Sequence, residues 1–140
     1  MGMYTEIFVN VDLKPETPDQ VLAVLRAICG SDNQAPLADK PRRWALLFNN
    51  GSYYTPLTSC ANLTFDKIAE HWSLLGKGDI KNYEGEIEEF FSWLMPWING
   101  EEGDFVGYKR YEENAVPTLV LLAKEPLPAP PTPGTAEGQR

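Results

Sequence analysis

The residues that could do chemistry are few and scattered. His71 is the only histidine, and it stands beside Trp72 in an apolar stretch. A catalytic imidazole needs a partner to orient it, and the sequence offers none at a recognisable spacing. His71 is therefore expected to be structural. A metal site is not expected either: Cys29, Cys60 and His71 show none of the close Cys/His spacings that chelate zinc. Neither cysteine has an identifiable activating base. Gly76-Lys77-Gly78 lacks the G-x-x-x-x-G-K-[ST] spacing that aligns backbone amides on phosphates, and no G-x-S-x-G elbow exists. The expectation is a non-enzymatic protein with no cofactor.

Carboxylates are the chemistry the chain does concentrate. Residues 79–113 hold ten acids and three bases, net −7, against a net of −8 for all 140 residues. Glu84, Glu88, Glu89, Glu101 and Glu102 share this segment with Trp93 and Trp97. Solvated helix faces are often acidic, and that is the plainer account. The sharper account is a docking surface for a basic protein, with Trp93 and Trp97 as aromatic anchors among carboxylates. Suitably spaced, such carboxylates could imitate phosphates. The alternative is a small-molecule or enzymatic site lined by Tyr53, Tyr54, Tyr108 and Tyr111, with Arg42, Arg43, Lys109 and Arg110 orienting an anion.

The bulk numbers restrict the partners. Twelve Lys+Arg against 20 Asp+Glu disfavour direct nucleic-acid binding, which needs cations to displace phosphate counterions. They equally disfavour an anionic membrane surface. No apolar run approaches the roughly 18 residues of a membrane span, and the first residues lack a secretory pattern. Two cysteines in a chain able to build its own core read as reduced thiols of a cytoplasmic protein. A homo-oligomer remains open.

The elements that must position these groups follow from hydrophobic spacing. Residues 4–13 alternate, with Ile7, Val9, Val11 and Leu13 on one face of a strand. Thr17-Pro18-Asp19-Gln20 reads as a capping box, and Val21, Leu22, Leu25, Ile28 and Cys29 follow at helical spacing up to Gly30. Residues 31–43 are expected to form a loop. Asn50-Gly51 suggests a tight hairpin joining 44–48 to 52–55. A second hairpin is expected over 61–65 and 70–75, then a loop at 76–79. Asn82 should cap a second helix over 83–98, with Ile87, Phe90, Phe91, Leu94 and Ile98 on its core arc and Trp93 outside it. Residues 105–111 and 118–122 read as a last strand pair. The Pro-rich residues 125–140 are expected to be a disordered tail. The whole is an α+β domain over 3–124: a mainly antiparallel sheet of about five to seven strands with two helices packed on it.

Four stretches, Met3-Tyr4-Thr5-Glu6-Ile7-Phe8, Gly51-Ser52-Tyr53-Tyr54, Asp79-Ile80-Lys81-Asn82-Tyr83-Glu84 and Gly107-Tyr108…Pro117-Thr118, occur in an order that resembles a family of small uncharacterised proteins of bacteria and their phages. The resemblance covers about residues 3–123. It implies a compact cytosolic α+β domain and brings no catalytic residues. Its phage side implies a protein that binds and disables a host or defence factor.

Overall fold

The computed structural model describes residues 3–49 and 60–124. Five strands form one sheet: β1 (Thr5–Asp12), β2 (Cys60–Asp66), β3 (His71–Ile80), β4 (Phe105–Tyr111) and β5 (Thr118–Leu121). Their order is β2-β3-β1-β4-β5, and every neighbouring pair is antiparallel. Two helices, α1 (Asp19–Ile28) and α2 (Glu86–Leu94), complete an α+β fold. The first four strands with both helices follow the β-α-β-β-α-β order of the split β-α-β arrangement, and β5 extends it beyond β4.

Alternation in β1 sets the two faces. Ile7, Val9 and Val11 join the apolar stripes of both helices in one core, with Leu13 just beyond the strand. Burying each such large side chain is worth about 1.5–3 kcal/mol. The opposite face carries Glu6, Phe8, Asn10 and Asp12, and cross-strand pairing adds Lys77 and Asp79 from β3 and Tyr108 and Arg110 from β4.

Helix α1 differs from the expected capping box at its start. Pro18 is the N-cap residue and no side chain caps the helix; Thr17 Oγ1 instead donates to the Lys14 carbonyl at 2.6 Å. Gly30, at φ 102°, ends it as expected. The segment 44–48 is not a strand. Pro41 introduces a 3-10 turn, Arg42–Leu46; Trp44 within it and Leu47 and Phe48 just after it are buried, while Leu46 is exposed. That is turn-of-helix spacing, not strand alternation, so the expected first hairpin lacks its leading strand. Residues 52–55, its other half, and the tail 125–140 lie outside the described residues.

The second hairpin is present, but β3 continues through Gly76-Lys77-Gly78-Asp79, which the sequence reading made a loop. The missing side chains are the reason. A Cβ on Gly76 would lie 2.7 Å from the Phe48 ring, and one on Gly78 would lie 2.0 Å from the Leu47 carbonyl oxygen. The glycines let residues 47–48 rest directly on the sheet.

Helix α2 is shorter than expected. It begins after Gly85, at φ 76°, and gives way at Leu94 to a 3-10 turn, Met95–Trp97, containing Pro96. Asn82 still helps to cap it from outside: its Oδ1 accepts the Ile87 backbone N–H at 2.9 Å. In β4, an extra residue between Phe105 and Gly107 breaks the register with β5. This bulge buries Val106 in the core and lets Phe105 join Phe8 on the opposite face.

Candidate functional site

The start of α2 and the end of β4 meet at one end of the sheet. Glu86, in the first turn of α2, is buried there: its Oε2 accepts Arg43 Nη1 at 2.8 Å, and its Oε1 accepts the Glu84 N–H. Its backbone carbonyl accepts Trp44 Nε1 at 3.2 Å. Glu86 therefore ties α2 to the 42–46 turn. The bond to Glu86 holds the Arg43 guanidinium above its ordinary pKa. The same guanidinium lies 5.3 Å from the centre of the Tyr83 ring.

Glu88 faces the other way. Its Oε2 accepts Lys109 Nζ of β4 at 2.5 Å and its Oε1 accepts Asn82 Nδ2 at 2.9 Å. Burial pushes the Glu88 carboxyl up, but Lys109 and Asn82 outweigh it and hold the group below its usual value. Glu112 Oε1 accepts the Tyr4 backbone N–H at 2.6 Å, and the Glu112 N–H donates to the Tyr4 carbonyl. The chain just past β4 is thereby stitched to the start of β1.

Between these ties two tyrosines remain open. Tyr83 is 60% and Tyr111 38% exposed. The Tyr111 phenol is held above its ordinary pKa by desolvation and then by Glu113, Glu112 and Tyr83. Tyr83 is followed in the chain by the exposed Glu84, and Tyr111 by the half-exposed Glu112 and the exposed Glu113. Arg43 and Lys109, at the same end, are each paired to a carboxylate of α2. Exposed aromatic faces bordered by carboxylates suit a lysine or arginine side chain, which gains a cation–π contact and an ion pair together.

The seven residues claimed for contact are divided. Glu84 and Glu88 belong to this end, and Glu89 is exposed on the flank of α2. Glu101 and Glu102 lie at the far end of β4, about 20 Å away along a seven-residue strand. There Asp104 Oδ2 accepts the Glu101 N–H and Glu102 Oε1 accepts the Lys124 N–H. Trp93 is half-buried, with its ring centre 5.4 Å from that of Trp44 and Lys40 Nζ above it. Trp97 packs against the core, and its carbonyl accepts the Lys14 N–H. What the sequence reading missed was Tyr83 as a site residue and its place at the same end as Tyr111, which it had assigned to the tyrosine-lined alternative. The available signal was the repeated Tyr-Glu step, Tyr83-Glu84 and Tyr111-Glu112-Glu113.

Three of the four cations of the alternative reading are engaged, Arg43 and Lys109 as described and Arg110 with Glu6, while Arg42 is exposed. Arg110 Nε donates to Glu6 Oε1 at 3.0 Å, and Tyr108 Oη donates to Glu6 Oε2 at 2.9 Å. Lys77 Nζ lies 3.2 Å from the same Oε2, an ion pair outside hydrogen-bonding angles. Burial would raise the Glu6 pKa, yet Tyr108, Lys77 and Arg110 together lower it. Tyr53 and Tyr54 lie outside the described residues. His71 Nε2 stands 3.5 Å from Asp12 Oδ1, which also accepts Ser73 Oγ at 2.6 Å. Among the described residues, no three His, Cys, Asp or Glu side chains are grouped to hold a metal, and no helix is long and apolar enough to cross a membrane.

No family model, curated protein or solved structure matches the chain. The split β-α-β arrangement hosts many functions, so function must be argued from the site.

Proposed function

We propose that this is a small non-enzymatic protein-binding protein that receives a basic segment of its partner at the Tyr83–Tyr111 end of the sheet. The observation that carries the reading is two exposed tyrosines at one end of the sheet, Tyr83 followed by the exposed Glu84 and Tyr111 close to the exposed Glu113, where Arg43 and Lys109 are already paired to other carboxylates. A net charge of −8 would draw such a partner from a distance. The resemblance to bacterial and phage proteins extends the proposal to an inhibitor of a host or defence protein, acting in the cytoplasm. If that partner binds nucleic acid, the exposed carboxylates would stand in for phosphates.

The test is capture from a bacterial lysate by the native chain and by a folded Tyr83→Ala/Glu84→Lys variant, at low and high salt. The reading expects a partner held by the native chain at low salt, lost at high salt and lost with the variant, because exposed charges are screened. A partner retained equally by the variant would overturn this site. If no partner is captured and small molecules raise the melting temperature, the ligand-binding alternative would replace the proposal.

A further inference from the structure

Three tyrosines at this end of the sheet differ in what already lies on them. The Arg43 guanidinium is 5.3 Å from the centre of the Tyr83 ring, and Lys81 Nζ is 5.6 Å from that of Tyr4. Each of these rings carries a cation of the chain itself. Among the described residues no cation stands over Tyr111, the third. Tyr111 closes β4, paired with Thr5 of β1, and the Asn114 N–H donates to its carbonyl at 2.8 Å. Alternation along β4 puts Tyr111 on the face of Lys109, which pairs with the core residue Ile7, so it looks to the helix side. The cations next to it in the chain are spent elsewhere, Lys109 on Glu88 and Arg110 on Glu6 across the sheet. The carboxylates after it differ. Glu112 Oε1 is held by the Tyr4 N–H, whereas the exposed Glu113 carboxylate has no hydrogen bond or ion pair among the described residues.

We infer that Tyr111 with Glu113 is the anchor of the site: one lysine or arginine side chain of the partner lies over the Tyr111 ring and pairs with the Glu113 carboxylate. The inference rests on the basic-segment reading proposed above and names the residue that holds the segment. A cation brought to Tyr83 or Tyr4 meets a like charge already at the ring. At Tyr111 it meets an open aromatic face and an unspent carboxylate, the two attractions that favour a cation over an apolar side chain. The strand adds precision. A group fixed at the end of β4 by backbone bonds on β1 and in the following turn is held more firmly than one on a connecting segment such as that of Tyr83. Tyr83 and Glu84 then receive a further cation of the same segment.

The experiment measures the dissociation constant of a short Arg/Lys-rich peptide for the full chain and for Tyr111→Phe, Tyr111→Leu and Glu113→Gln. Tyr111→Phe keeps the ring and should bind as the native chain does. Tyr111→Leu changes no charge, so general attraction to an acidic protein does not register it; loss of the ring face should weaken binding by about two- to fivefold. Glu113→Gln should weaken binding and flatten its salt dependence. In the native chain the Tyr111 ring signals should shift further than those of Tyr83 as peptide is added, and this decides the matter should Tyr111→Leu fail to fold. Equal affinity of Tyr111→Leu and the native chain, or a larger shift of the Tyr83 ring, would overturn the anchor while leaving the basic-segment reading in place. Tyr111→Phe as weak as Tyr111→Leu would overturn it too, since the hydroxyl would then be the contact. A peptide that does not bind the native chain would overturn both.

Discussion

The Phe48 ring occupies the space that a side chain at position 76 would need: a Cβ there would stand 2.7 Å from it. Two residues on, the Leu47 carbonyl oxygen would be 2.0 Å from a Cβ on Gly78. A Gly-Lys-Gly that looks like a nucleotide loop is a strand thinned to admit the chain lying on it.

Gly78→Ala should therefore destabilise the fold by about 1–3 kcal/mol, the usual cost of forcing atoms into a packed interior. The obstacle is backbone, which cannot rotate away. A urea titration should show a lower midpoint with little change in slope. An unchanged midpoint would mean that residues 47–48 do not lie on β3.

Glu6 holds three groups on the face away from the helices, and Glu6→Gln should leave Lys77 buried beside a neutral amide. Breaking a buried ion pair costs about 3–5 kcal/mol. The acid response follows from the lowered Glu6 pKa. The ionised form is favoured by folding, so its contribution is complete above the ordinary carboxylate value of about 4.3 and is lost as pH falls through the lower folded value. Glu88 is shifted the same way but is half-exposed and contributes less. Stability measured from neutral pH downward should fall less steeply in Glu6→Gln than in the native chain; parallel curves would refute the assignment.

The two thiols should separate cleanly. Burial and the nearby Cys60 push the Cys29 thiol up to about 11, whereas Cys60 is exposed. Near neutral pH, an alkylating reagent should modify the exposed Cys60 well before the half-buried Cys29, since the thiolate is the reactive form. Mass spectrometry of the digested protein would show it. Equal labelling rates would place Cys29 outside the packed layer.

Trp93→Ala should act on stability and leave binding alone. The ring packs on Trp44 and Phe90 and underlies Lys40. A half-buried Trp should cost about 1–3 kcal/mol, below the 3–5 kcal/mol of a fully buried one. Lost partner binding at unchanged stability would restore Trp93 as an anchor.

Much of this was legible from local spacing. Val9 and Val11 announced a strand, Leu22 and Leu25 a helix, and Phe90 with Leu94 the buried arc of α2. Residues 44–48 were misread because an apolar run of five beside Asn50-Gly51 fits a hairpin as well as a turn. Only the 3.6-residue spacing of Trp44, Leu47 and Phe48 decides between them. Residues 76–79 were misread because glycine signals loops locally, and the reason for these glycines lies about thirty residues away. The site was half legible for the same reason. Acid content marks 79–113, but the sequence cannot show that Glu86 turns inward to Arg43, or that β4 holds Glu102 some 20 Å from Glu112.

The central claim concerns where a basic segment lands. Titrating the ¹⁵N-labelled chain with a short Arg/Lys-rich peptide and following amide shifts tests it most directly. The account predicts that the largest shifts gather at Tyr83, Glu84, Tyr111, Glu112 and Glu113, and that they disappear in Tyr83→Ala/Glu84→Lys. Shifts centred on 101–104, or spread evenly over every acidic residue, would contradict it.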